Sequence, residues 1–79
     1  MKDSTPLLLS AAGLAQVLAV SSKTIRRMDS AGKIPRPLRL SPSCVRWSLA
    51  TISDWLAECE REGRRIDRRE WESLRISDR

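Results

Sequence analysis

The chain has 79 residues, which is room for one domain and a single small core. Its formal net charge of +5 favours a polyanionic partner. It has no histidine, only two cysteines (Cys44 and Cys59) without CxxC spacing, and no apolar run longer than a few residues. That argues against a disulfide framework, a metal site, a signal peptide and a membrane span.

Residues 1–6 are polar and expected to fray. Residues 7–9 are an apolar lead-in, and Ser10 is placed to cap a first helix over 11–18. Leu14, Val17 and Leu18 recur there at the helical period. Gly13 costs that helix on the order of 1 kcal/mol relative to alanine. Either a close contact compensates for it or the first turn is weak.

Residues 19–21 form a turn, with Val20 as an apolar plug. Ser21 or Ser22 then caps a second helix over 22–30, whose inner face is Ile25 and Met28. Gly32 suits the left-handed position beyond a helix end, and Pro35 and Pro37 forbid further helix.

From Pro37 the period becomes two. Leu38 and Leu40, then Val45 and Trp47, alternate with Arg39, Arg46 and Ser48. The pattern predicts a β-hairpin over 37–48, tipped by Ser41-Pro42-Ser43, apolar on one face and arginine-bearing on the other. Ser48 is placed to cap a third helix, with Leu49, Ile52, Trp55 and Leu56 in its stripe and Gly63 as its stop. Residues 63–79 are about half charged and read as a tail, helical if Ile66, Trp71 and Leu74 share a side. The division is thus a frayed 1–6, a domain over 7–62 and a tail over 63–79. Trp47 and Trp55 read as core. Trp71 reads either as a clamp folding back or as an anchor for a partner.

Charge is unevenly spread along these elements. Residues 22–46 hold seven basic side chains and one acid, Asp29, whereas 47–62 hold Asp54, Glu58, Glu60 and Glu62 against Arg61. The basic middle coincides with the second helix and the hairpin. Ala15 and Ala19 are small where two crossing helices need it, and Val20, Ile25 and Met28 complete a helix-turn-helix pattern. Its second helix exposes Ser22, Lys23, Thr24, Arg26 and Arg27. Side chains of this kind suit base edges in a major groove, with Lys23, Thr24 and Arg27 as readers and Ser22 and Arg26 on phosphates. Arg36, Arg39, Ser41, Ser43 and Arg46 make the hairpin a basic wing that tracks the backbone or enters the minor groove. The plainer reading of both groups is a solvated charged surface.

These residues, in this order, resemble the AlpA-like and excisionase group of small winged-helix proteins, related in fold to the MerR DNA-binding domain. The segments are LLLSAAGLAQVLAVSSKTIRRM, AGKIPRPLRL and VRWSLATISDWLAE, spanning about 8–62. The resemblance implies a mainly α winged helix-turn-helix in the order α-α-β-β-α, with a further C-terminal helix if the tail folds. It implies a protein that binds double-stranded DNA, an excisionase or recombination directionality factor that bends attachment-site DNA and contacts a phage or island integrase. The alternative within the group is a transcriptional regulator without an integrase. Two departures are the Ser41-Pro42-Ser43 tip, where the group usually bears glycine, and Ala19, where it often has glycine.

Adjacent copies on repeated sites would add affinity through effective concentration. The chain is expected in the cytoplasm of a prokaryotic or phage-infected cell. A reading from another class is a protein-interaction adaptor working through the third helix and the Trp71 tail. No cofactor is expected. Catalysis is not expected either, since no histidine base, paired carboxylates or phosphate-cradling loop is present.

Overall fold

The computed structural model describes residues 7–77, with the backbone alone for 75–77. Four helices pack with a three-stranded antiparallel sheet. In chain order the elements are β1 (Leu8–Leu9), α1 (Ala11–Leu18), α2 (Ser22–Ser30), β2 (Leu38–Ser41), β3 (Cys44–Ser48), α3 (Leu49–Glu62) and α4 (Arg68–Ser77).

Each of the first three helices begins on a serine whose hydroxyl accepts a backbone N–H three residues on. Ser10 takes that of Gly13 at 3.1 Å, Ser21 that of Thr24 at 3.1 Å, and Ser48 that of Thr51 at 3.2 Å. Each contact satisfies one of the donors that a helix start leaves without an internal partner. All three helices also end alike. An N–H two or three residues past the helix bonds back to the carbonyl five positions before it: Val20 to Ala15 O at 2.9 Å, Lys33 to Met28 O at 2.8 Å, Arg64 to Cys59 O at 3.1 Å. This closure needs a left-handed residue, supplied by Gly32 (φ 69°) and Gly63 (φ 72°) after α2 and α3. After α1 it is Ala19, at φ 59°. A side chain there costs about 1 kcal/mol or more.

The expected order lacked a strand. Residues 8–9 form β1, which pairs with β3 through Leu8↔Ser48 and Leu9↔Trp47. The Leu49 N–H extends this contact to Leu7 O at 3.0 Å. The sheet order is β1-β3-β2, so β3 is central. A two-residue strand has no period of its own, so nothing local distinguishes it from a lead-in.

Three features of the hairpin and the turn differ from the sequence reading. Leu38 pairs with Arg46 and Arg39 with Val45, and the ladder then shifts register between Arg39 and Ser41. Cross-strand partners share a face. Leu38 therefore lies on the face of Arg46, not on that of Val45 and Trp47, and Arg39 and Arg46 start from opposite faces. All of β2 is exposed, with Leu38 at 49% and Leu40 at 57%. Val20 is exposed rather than a plug, as is Val17. The backbone closure at Ala19 makes the turn, and it needs no apolar plug.

The core gathers one or two residues from every element except β2. It includes Leu9, Leu14, Ile25, Trp47, Ile52 and Trp55. Ile34 from the loop after α2 is fully buried there as well. The charged tail joins it too: Ile66 is fully buried and Trp71 is 8% exposed, so Trp71 folds back. Packing does not break at Gly63. Both other indoles are buried and donate to carbonyls, Trp47 to Pro35 at 3.1 Å and Trp55 to Ile66 at 2.9 Å. Among the described residues no helix is long and apolar enough to cross a membrane.

Two substitutions test the helix 1 account. A Cβ built on Gly13 would meet Leu9 Cδ2 at 3.5 Å, an ordinary contact, so no close approach compensates for that glycine. Gly13→Ala should stabilise the protein by up to about 1 kcal/mol. Ala19→Gly should also stabilise it, by relieving the positive φ. In thermal melts each should raise Tm by about 4–8 °C per kcal/mol for a domain of this size. A lowered Tm for Ala19→Gly would refute the strained closure.

Candidate nucleic-acid interface

Successive residues of a helix are about 100° apart, so burying Ile25 sets the direction of every other side chain of α2. Lys23 and Arg27 project opposite Ile25, and Arg26 projects from the flank. All three are exposed. Among the described residues none of the three enters an ion pair. The two hydroxyl candidates are placed differently. Ser22 and Thr24 are half-buried, and the Thr24 hydroxyl lies 3.0 Å from that of Ser21, within the cap of the helix. The outward face of α2 is therefore cationic first and hydroxylic second.

The hairpin brings a second set to the same side. Arg26 and Asp29 of α2 and Ser43 and Arg46 of the hairpin line one shallow concavity, closed by Ser10 and Ala11 at the start of α1. Arg46 is half-buried and curls back to donate to its neighbour's carbonyl, Val45 O, at 2.8 Å. An adjoining concavity carries Arg36, Arg39, Asp29 and Arg68. Arg39 reaches the tip, where it donates to Pro42 O at 3.4 Å. Ser41 and Ser43 are exposed beside it.

Two residues of this region had no sign in the sequence. Arg68, at the start of α4, donates to Asp29 Oδ1 at 2.5 Å, to Asp29 O at 3.3 Å and to Ile34 O at 3.0 Å. Its own N–H reaches Gly32 O at 3.0 Å. One side chain thus holds the end of α2, the loop after it and the last helix. It also pairs with Asp29, which sits one turn beyond Arg26 on α2. The second residue is Glu72, which accepts from Arg36 Nε at 3.0 Å and Nη2 at 3.4 Å. Arg36 is therefore already partnered, unlike the α2 cations. Both residues lie far along the chain from their partners, so spacing could not have revealed them.

Two carboxylates of α4, Glu72 and Glu70, lie beside arginines that lower them from their ordinary value. The hydrogen bond from Arg36 draws the Glu72 carboxyl below its ordinary 4.5; partial desolvation opposes this, and the charges of Arg36 and Arg68 add to it. Arg64 lowers Glu70 in the same way, through a hydrogen bond first, at 2.5 Å. Arg36 and Arg64 move up correspondingly and stay charged. Among the described residues no three or more potential metal ligands cluster. No family model matches the chain, and no curated protein or solved structure matches it.

A depressed carboxylate stabilises the fold fully above its unfolded value, and the contribution disappears as pH falls through the folded value. Below about pH 4.5 the Tm of the parent chain should therefore fall more steeply than that of the Glu70→Gln/Glu72→Gln chain. Parallel curves would mean that the two pairs contribute nothing, as many exposed pairs do. Arg68→Ala should cost about 2 kcal/mol, because it removes charge-assisted hydrogen bonds and leaves a half-buried Asp29 without its partner. Urea denaturation monitored by tryptophan fluorescence measures that loss.

Proposed function

We propose that the chain is a sequence-specific double-stranded DNA-binding protein. In this reading α1, the turn and α2 act as a helix-turn-helix, and the β2–β3 hairpin acts as a wing. The observation that carries the reading is the shared concavity. Arg26 on α2 and Arg46 on the hairpin flank one surface, which Asp29 also lines, and Lys23 and Arg27, without an ion pair among the described residues, project from the same helix. A cationic helix face next to a cationic hairpin suits a duplex, whose adjacent grooves and phosphates present repeated negative charge.

Lys23 and Arg27, pointing straight out from α2, are the base readers in this reading. Lysine and arginine address guanine in the major groove. Arg26, Arg39 and Arg46 hold phosphates. Thr24 and Ser22, engaged at the helix start, take a lesser part, and the first-turn backbone N–H groups beside them favour a phosphate.

The resemblance to the AlpA-like and excisionase group supports a more specific version. The protein would occupy and bend DNA near an attachment site as a recombination directionality factor, with an integrase and further copies of itself as partners. A regulator of transcription would use the same surface. The burial of Trp71 favours either of these over an adaptor that binds proteins through its tail.

Fluorescence anisotropy on duplexes selected from a random pool, across a salt series, tests the assignment of roles. Lys23→Ala and Arg27→Ala should each cost about 1–3 kcal/mol on the selected site and relax the preference for it. Arg39→Ala and Arg46→Ala should weaken binding to every sequence and reduce the salt slope by about one unit per lost contact. Equal losses on selected and random DNA in all four variants would defeat the assignment. No binding at low salt would defeat the proposal itself.

A further inference from the structure

β2 is an edge strand with two large apolar side chains in water, Leu38 at 49% and Leu40 at 57% exposure. Leu40 lies where the ladder shifts register. Arg39 pairs with Val45 and Ser41 with Cys44, so Leu40 has no opposite residue on β3. Bulges of this kind re-aim a side chain away from the ladder. The turn that follows is Pro42-Ser43, so Leu40 stands close to the outer end of the hairpin.

The surroundings of this leucine limit what could cover it. Between Asp29 and Asp54 the sequence holds Lys33, Arg36, Arg39 and Arg46 and no carboxylate. A second copy pairing along the β2 edge would bring arginines against arginines. It would also meet Pro37 and Pro42, which have no N–H to give, and a ladder already interrupted by the bulge. The fitting occupant is an anion with an apolar interior. The minor groove of DNA is one, with phosphates along its rims and sugars and base edges between them.

We infer that Leu40 is a wedge that the hairpin inserts into the minor groove, partly opening a base step and kinking the duplex, with Arg39 anchoring it to a rim. Leucine and proline side chains used in this way unstack bases and bend DNA by tens of degrees. The inference rests on the DNA-binding reading and adds the residue that would deform the duplex. It also gives the glycine-free tip a use, because Pro42 stiffens the end of the ribbon that must push between bases.

The test uses the full chain and a selected duplex of about 30 base pairs carrying a donor and an acceptor dye at its ends. Energy transfer reports bending, and anisotropy reports binding in the same tube. Leu40→Ser and Leu40→Met should both melt like the parent, because the side chain is exposed. On saturation the parent and Leu40→Met should raise transfer alike. Leu40→Ser should lose about half or more of that rise. Its salt slope should not change, because no cation has been removed.

Equal bending by the parent and Leu40→Ser, or no bending by the parent, would overturn the wedge and leave DNA binding standing. Self-association of the free parent chain that Leu40→Ser abolishes would assign the leucine to a second copy and overturn it as well. Failure of the parent to bind any duplex at low salt would defeat the wedge together with the reading it rests on.

Discussion

Burial of Trp47 is the constraint on which the rest of the architecture depends. It sits in the central strand, pairs with Leu9 of β1 and donates its indole N–H to Pro35 O. Three separate stretches of chain converge on this one side chain: the lead-in before α1, the loop after α2, and the hairpin. A two-stranded hairpin is marginal alone in water. Here β3 is held at its root on both sides, while β2 remains wholly exposed. That asymmetry lets the hairpin project from the body without losing its attachment.

A second constraint is electrostatic. The chain carries an excess of cations, and the fold distributes them unequally. Arg36, Arg61, Arg64, Arg65 and Arg68 have carboxylate partners, whereas Lys23, Arg26, Arg27, Lys33, Arg39, Arg46 and Arg69 have none among the described residues. The partnered group belongs to α3, the tail and its neighbours; the other group, apart from Lys33 in the loop and Arg69 on α4, belongs to α2 and the hairpin. Arg68 links the two. By holding Asp29 it ties down the docked tail and at the same time pairs an acid that lies beside the α2 cations. Stability and the character of the proposed interface thus depend on the same contact.

The helices were legible because their signals are local. Serines three residues before a backbone donor, glycines after the last turn, and apolar residues three and four apart act within one stretch of chain. The placing of Ser10, Ser48, Gly32 and Gly63 follows from those rules, as does the inward direction of Ile25, whereas the second cap stayed open between Ser21 and Ser22 until the structure gave Ser21. The α2 candidates were legible for the same reason: once Ile25 points in, Lys23 and Arg27 must point out. The strands were less legible. Alternation in 38–48 showed that a hairpin exists but could not show its register, and a bulge after Arg39 shifted the faces. Leu38 and Leu40, which alternation put with Val45 and Trp47, ended in solvent.

The amino-acid sequence by itself determined four things: where the first three helices begin and end, that a hairpin follows the second, that positive charge concentrates in these two elements, and that Lys23, Arg26 and Arg27 face outward from α2. Tertiary structure alone decided that residues 8–9 complete a sheet, that Arg39 and Arg46 leave the hairpin on different faces, and that the charged tail belongs to the core. It also decided that Arg68 and Glu72 set the electrostatics of Asp29 and Arg36. The reason is range. Caps and helical periodicity are satisfied within a few residues, whereas a two-residue strand, a ladder register and an ion pair across 36 or 39 positions exist only once distant segments have met.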